Sequence, residues 1–189
     1  MTQAIQQSLR DKAWARWTVL ILIALTMFFA YMFVDVLSPL KSMLEKTAEE
    51  GGLGWSSTVF GTYGSSEFFL NVFFFFLIFA GIILDKMGVR FTAVLSGALM
   101  VLGALIKVYA LSTTFNNGGF GFELFNSFMP SMPPSAKLAC VGFMIFGCGC
   151  EMGGVTVSRA IVKWFEGKEM ALAMGLEMAV ARLGVFAVF

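Results

Sequence analysis

Six ionisable residues interrupt long apolar runs of this 189-residue chain, and their types and spacing frame the chemistry: Asp35, Glu67, Lys107, Glu151, Glu177 and Arg182. If those runs cross a bilayer, a charge near the centre costs about 2.5–3.5 kcal/mol even on a lenient scale, so it needs a partner or water. Glu151 stands 11 residues before Val162, and Arg182 stands 12 residues after Met170. By helical rise, the two lie about 16 Å and about 18 Å from the same face. An acid and a base at one depth on consecutive helices can grip the two ends of a small zwitterion, or they can form a structural ion pair. Glu151 shares its helical face with Gly147, Gly154 and Ser158, and Arg182 shares its face with Gly175 and Ala179. Small residues let helices approach closely, so both charges are expected to face protein. Asp35 falls with Tyr31 on one face near the end of the first apolar run. It can bind an amine or a proton, or simply cap the helix end at the water edge. Glu67 reads as solvated at a helix start, Lys107 as a snorkelling side chain, and Glu177 as about 10 Å deep on the last helix.

Composition removes most other chemistries. Hydrophobic residues make up 58% and charged residues 13%, against about a quarter charged in a soluble domain. The solvent for this chain is therefore mostly lipid. A net charge of +1 argues against a nucleic-acid partner. Histidine is absent, which removes the commonest metal ligand and proton shuttle. Cys140, Cys148 and Cys150 all fall in one apolar run and fit neither a disulfide framework nor a C-x-x-C metal site. Cys148 and Cys150 point to different helical faces and read as small packing residues. No nucleophile–base set, metal cluster or phosphate loop is present, so neither an enzyme nor a cofactor is expected.

The elements that must position these residues are all helical. Residues 1–16 form a polar segment, and Trp14 and Trp17 mark an interface where indoles favour the headgroup level. Since about 20 apolar residues cross a hydrocarbon core, spans are expected over residues 17–36, 66–84, 91–112, 137–162 and 170–189. The fold class is an all-α, polytopic membrane bundle of about five helices. Two short charged connections, residues 85–90 and 163–169, alternate with longer segments at 41–65 and 113–136. The Phe73–Phe76 run reads as a lipid-facing or packing surface. Eight basic residues gather on the side of the N-terminus and both short connections, against three on the other. The positive-inside bias then places the N-terminus in the cytoplasm. Absence of N-x-S/T acceptors leans towards a bacterial inner membrane.

The first short connection carries a recognisable pattern, Gly81-Ile82-Ile83-Leu84-Asp85-Lys86-Met87-Gly88-Val89-Arg90. Glycine tolerates positive φ and close approach, which suits Gly88 to the turn and Gly81 to a tight contact. The stretch resembles the G-x-x-x-D-(R/K)-x-G-x-R loop between helices two and three of the major facilitator superfamily. The resemblance implies that Gly81, Asp85, Lys86, Gly88 and Arg90 latch the cytoplasmic side of an alternating-access transporter.

A second pattern, Trp164 to Gly175, reads W-F-x-x-K-E-x-x-x-A-M-G and is followed by A-R-L-G at Ala181 to Gly184. It is similar to the helix 4–5 loop of the superfamily, and in its longer form to a lysosomal dipeptide-transporter branch and bacterial relatives. That resemblance implies a substrate role for Glu151 and Arg182, joined here by Asp35 and Tyr31 as candidate contacts. It also implies a small polar organic solute, with an organic-anion or sugar-phosphate carrier as the alternative. A full member has twelve helices in two halves, so residues 17–189 are expected to be part of an N-terminal half. The expected partners are lipid, the solute and the missing C-terminal half; a non-transporting membrane fragment is the remaining possibility.

Overall fold

The computed structural model describes residues 9–189; residues 1–8 of the polar N-terminal segment lie outside the described residues. Helices dominate and no strand occurs among the described residues. We label them α1 (Ala13–Asp35), α2 (Ser57–Ser66), α3 (Phe69–Phe73), α4 (Phe76–Leu111), α5 (Phe122–Asn126), α6 (Pro134–Phe165) and α7 (Met170–Phe186). Pro134 opens α6, where its missing N–H costs nothing.

The bundle is built on α6, which buries most of its length. Its glycines let neighbouring backbones approach. A Cβ on Gly103 of α4 would lie 2.5 Å from the Gly142 carbonyl oxygen and the Phe146 nitrogen, and one on Gly142 would lie 2.8 Å from the Gly103 oxygen. Nearer the other end of the contact, Ser96 Oγ donates to the Gly149 carbonyl at 2.8 Å. As α4 advances from residue 96 to 103, its contacts on α6 therefore retreat from 149 to 142, and the helices run antiparallel.

The chain before Gly88 runs the other way. Tyr63 stacks on Phe143 at 4.7 Å, Ser66 Oγ donates to the Cys140 carbonyl at 3.5 Å, and Asp85 meets Arg159 at 3.7 Å. Residues 57–87 thus run parallel to α6. The reversal falls on Gly88 inside α4, with φ 81° and ψ 169°. A positive φ there is open to glycine and strained for other residues. On the remaining side, α7 runs parallel to α1: Arg16 meets Glu169 at one end, and Gly184 lies against the Phe28 backbone at the other.

Three stretches are long and apolar enough to cross a membrane: Ala13–Leu44, Phe76–Leu111 and Pro134–Phe165. The second of these contains the Gly88 reversal. The expected span at 66–84 is instead a broken arm. It starts earlier, at Ser57, because Ser56 Oγ caps the Val59 N–H at 3.2 Å. The polar-looking stretch 57–66 is helical because Val59, Tyr63 and Ser66 point into the bundle. It then breaks after Ser66 and again before Phe76, where Phe75 adopts φ 52°. The last helix, α7, has 17 residues and ends at Phe186.

The segment 113–136 packs on itself rather than trailing. Phe115 is fully buried, with edge contacts to Tyr109 at 5.5 Å, Phe122 at 5.7 Å and Phe125 at 6.4 Å. Lys137 donates to the carbonyls of Phe125 and Phe128, tying this aromatic cap to the start of α6.

The glycine contact gives a test with its own control. Gly103→Ala should destabilise the detergent-solubilised protein by about 1–3 kcal/mol, since the added methyl meets backbone that cannot yield. Gly97→Ala, where a Cβ meets nothing within 4 Å, should be neutral or stabilising by up to about 1 kcal/mol. Thermal unfolding of both variants, followed by circular dichroism, separates the two.

Candidate functional site

The polar interior follows one face of α6. Phe143, Gly147, Glu151, Gly154 and Ser158 are spaced by three or four residues, so they stack along one helical stripe. Opposite Phe143 and Phe146 lies Lys107 of α4, only 4% exposed. Its ammonium sits 4.5 Å and 4.6 Å from those two ring centroids and donates to the Phe33 carbonyl of α1 at 3.1 Å. A lysine satisfied in this way can stay charged in the interior. Lys107 does not snorkel to an interface as the sequence suggested, because the Gly103–Gly142 approach draws its stem into the bundle.

Glu67 is the second departure from expectation. It is 6% exposed rather than solvated. The early start of α2 is the reason: Glu67 closes a ten-residue helix already docked on α6, instead of beginning a helix at the water edge. Its backbone lies against Gly147, where any side chain would collide. One turn further along the same stripe is Glu151, half-buried. Hydrophobic patterning missed Glu67 and Lys107 because polar flanks concealed the depth of the first and a long apolar stem that of the second.

Arg182 occupies a separate recess of about 230 Å³, lined by Met27 and Tyr31 of α1, Gly154 and Ser158 of α6, and Glu177 of α7. The guanidinium lies 5.4 Å from the Tyr31 ring centroid. Among the described residues it has no carboxylate within ion-pair distance: the structure holds ion pairs only at Arg10–Glu166, Arg16–Glu169, Lys41–Glu45, Arg159–Asp85 and Lys168–Asp11. Glu151 and Arg182 are therefore not in direct contact. Tyr31 shares the Arg182 recess, which Glu151 does not line. Asp35 accepts a hydrogen bond from Ser38 Oγ at 3.2 Å, a helix-end role. All three cysteines are free and buried.

At the latch stretch, Gly88 makes the turn, and Asp85 pairs with Arg159 of α6. Both partners are mostly exposed, so the pair is worth about 0–1 kcal/mol. Lys86 and Arg90 are exposed. The expected tight contact at Gly81 is not made, since a Cβ there would meet open space.

At the same end, residues 10–16 dock on the connection between α6 and α7. Arg16, its side chain 7% exposed, reaches Glu169 at 3.4 Å and donates to the carbonyls of Arg10 and Asp11. Lys168 donates to Asp11 Oδ1 at 2.7 Å and to the Arg10 carbonyl, and Arg10 meets Glu166 at 3.5 Å.

Fold and interior together define an integral membrane bundle of α-helices with charges enclosed at depth. Among known proteins, the chain is similar to the lysosomal dipeptide transporter MFSD1 of Bos taurus, 31% identical over 107 residues, which are 56% of this chain and 19% of that protein. To the MFSD1 of Danio rerio it is 32% identical over 115 residues, 60% of this chain and 20% of the relative. To that of Homo sapiens it is 31% identical over 107 residues, 56% of this chain and 19% of the relative. The matched stretch thus spans about a fifth of these relatives. The similarity supports a relationship to the major facilitator superfamily, and the relatives are transporters rather than enzymes. No family model and no solved structure matches the chain.

The docked segment yields a pH prediction. The Lys168 hydrogen bond, followed by its charge, holds the Asp11 carboxyl below its ordinary value of 3.8. A lowered carboxyl contributes to docking above the ordinary value, and that contribution is lost as pH falls through the lowered one. Spin labels at residues 13 and 172 should therefore keep a narrow distance distribution from neutral pH down to about 4, then broaden in stronger acid. Lys168→Gln should broaden it at neutral pH.

Proposed function

We propose that this chain is part of the N-terminal half of a major facilitator transporter that moves a small polar organic solute by alternating access. The observation that carries the reading is the recess holding Arg182, Tyr31 and Glu177, one step along α6 from Glu151. It offers a fixed cation for a carboxylate and a nearby acid for an amine, and it belongs to a chain similar to dipeptide transporters over more than half its length. Arg182 takes the solute carboxylate, Tyr31 holds the guanidinium in place, and Glu151 takes the amine. A dipeptide or similar zwitterion is the leading substrate. The separation of Arg182 from any direct carboxylate partner also favours a second reading, a carrier of organic anions, in which Arg182 acts without an amine-binding acid.

In this reading rocking of two halves about a midplane site exposes it alternately to each side. The Gly88 turn and the Asp85–Arg159 pair lie at the cytoplasmic face, as does the N-terminus, with the protein in a bacterial inner membrane. The partner half packs on the side to which the α6 stripe opens.

Uptake of labelled dialanine into vesicles containing the full-length protein tests the assignment. Glu151→Gln and Arg182→Gln should each abolish uptake, and the double variant should express and fold without recovering it. Near-wild-type uptake by the double variant would reduce both residues to structure. Uptake of a monocarboxylate or phosphate ester, with dialanine excluded, would favour the anion carrier. Asp85→Asn should slow turnover while leaving dialanine affinity within about twofold, because the latch touches no solute.

A further inference from the structure

Two cavities meet at one buried cation. Between the α2–α3 arm and the aromatic cap runs an apolar groove of about 530 Å³, walled by Phe69, Phe73, Phe128, Met129 and Met144. At the start of α6 a polar cleft of about 390 Å³ is lined by Ser56, Asn126, Ser131 and Pro133. Lys137 and Met132 line both, so groove and cleft adjoin at the Lys137 side chain, itself 6% exposed. Two of the three ammonium N–H groups are spent on the Phe125 and Phe128 carbonyls, and the Phe128 ring centroid lies 4.7 Å away. No carboxylate lines groove or cleft, and none among the described residues comes within ion-pair distance of Lys137. Whatever enters therefore meets a free N–H and a full positive charge.

The two cavities are also ordered along the bundle. Trp55 Nε1 donates to Ser135 Oγ at 3.0 Å, which sets the chain just ahead of α2 level with the start of α6 and puts the cleft at the bundle end. From Lys137 the groove follows α6 inwards past Cys140 to Met144, about 10 Å of helical rise. Polar end outermost, apolar length inwards and a cation at the junction outline an anionic amphiphile. Phe69 and Phe73 are exposed, so the groove is open along its side and a chain can enter it without leaving the bilayer.

We propose that groove and cleft together bind an anionic glycerophospholipid of the surrounding membrane. One acyl chain lies in the groove, the phosphate sits on Lys137, and the headgroup hydroxyls enter the cleft beside Ser56, Asn126 and Ser131. Basic pockets between membrane helices hold lipid headgroups in this way. A free fatty acid has the charge and the chain but nothing to fill the cleft. A second apolar groove, of about 610 Å³ between Leu105 and Phe120, is lined by no charged residue; it accepts chains without choosing among headgroups. The assignment is independent of what the protein transports.

The test is photo-crosslinking of the full-length protein with phosphatidylglycerol that carries a photoactivatable group midway along one chain, the labelled peptides being mapped by mass spectrometry. Label should fall within residues 62–73 and 125–144 and be displaced by excess phosphatidylglycerol better than by phosphatidylcholine. One lysine charge at headgroup level corresponds to about fivefold preference for the anionic lipid. Lys137→Gln should lose that preference and Lys137→Arg keep it, while label near Leu105 changes in neither. Because Lys137 also ties down the aromatic cap, a second variant leaves it untouched. Ser65 is exposed and donates to the Gly61 carbonyl of its own helix, so the indole of Ser65→Trp should fill the groove and abolish the label. Val108→Trp, on the exposed face of α4, should leave the label unchanged. Equal displacement by the two lipids in the wild type, full preference in Lys137→Gln, or full label in Ser65→Trp overturns the site. So does wild-type label confined to other segments, the result if a protein helix covers the groove. A photoactivatable fatty acid that labels the groove and resists displacement by phosphatidylglycerol overturns the phospholipid assignment.

Discussion

Everything in this bundle depends on how closely α4 and α6 approach. In lipid there is little hydrophobic force to press helices together, so association rests on van der Waals contact and interhelical hydrogen bonds. Gly103 and Gly142 remove the side chains that would hold the backbones apart, and Ser96 then reaches the Gly149 carbonyl. That approach fixes the level of Lys107 against Phe143 and Phe146. Through the Phe33 carbonyl it also fixes the end of α1. The parallel arm 57–87 fits on the next strip of α6 because Gly147 gives its backbone room.

Magnitudes separate the two sets of charges. The pairs at the end bearing residues 10–16 each set a largely buried base against an exposed carboxylate, where water screens the attraction, so they organise a surface. The interior charges each carry a desolvation cost of about 2.5–3.5 kcal/mol or more. Lys107 offsets it with a carbonyl and two aromatic faces. Among the described residues Glu67 has no comparable donor, and Arg182 offsets part of it against Tyr31. The interior therefore dictates which arrangements the bundle tolerates.

Much of this was legible from residue order. Long apolar runs placed α1, α4 and α6, the glycines of α6 announced a packed helix, and Gly88 marked the reversal, while the start of α6 at Pro134 rather than residue 137 was not read. Glu151 and Arg182 stood out because acid and base interrupt apolar sequence at matched depth. Their lack of direct contact was not legible, since depth along two helices does not fix how each is rotated about its own axis. Glu67 and Lys107 were misjudged for a related reason. Burial at a helix end is set by what packs beside it, and the docking of residues 57–66 depends on a non-local surface. The break at Phe75 follows no sequence signal that we can name.

The docked N-terminal segment has a consequence for how the protein is made. Arg10, Asp11 and Arg16 find their partners at Glu166, Lys168 and Glu169, more than 150 residues later in the chain. At about 5–20 residues per second of synthesis, those partners emerge roughly 10–30 s after the segment that needs them. Throughout the insertion of α1 to α6 the segment is left to the lipid headgroups and to whatever else is basic- or acid-seeking at the ribosome exit. The knot is therefore a late closure in biogenesis, completed only once the connection ahead of α7 has been translated.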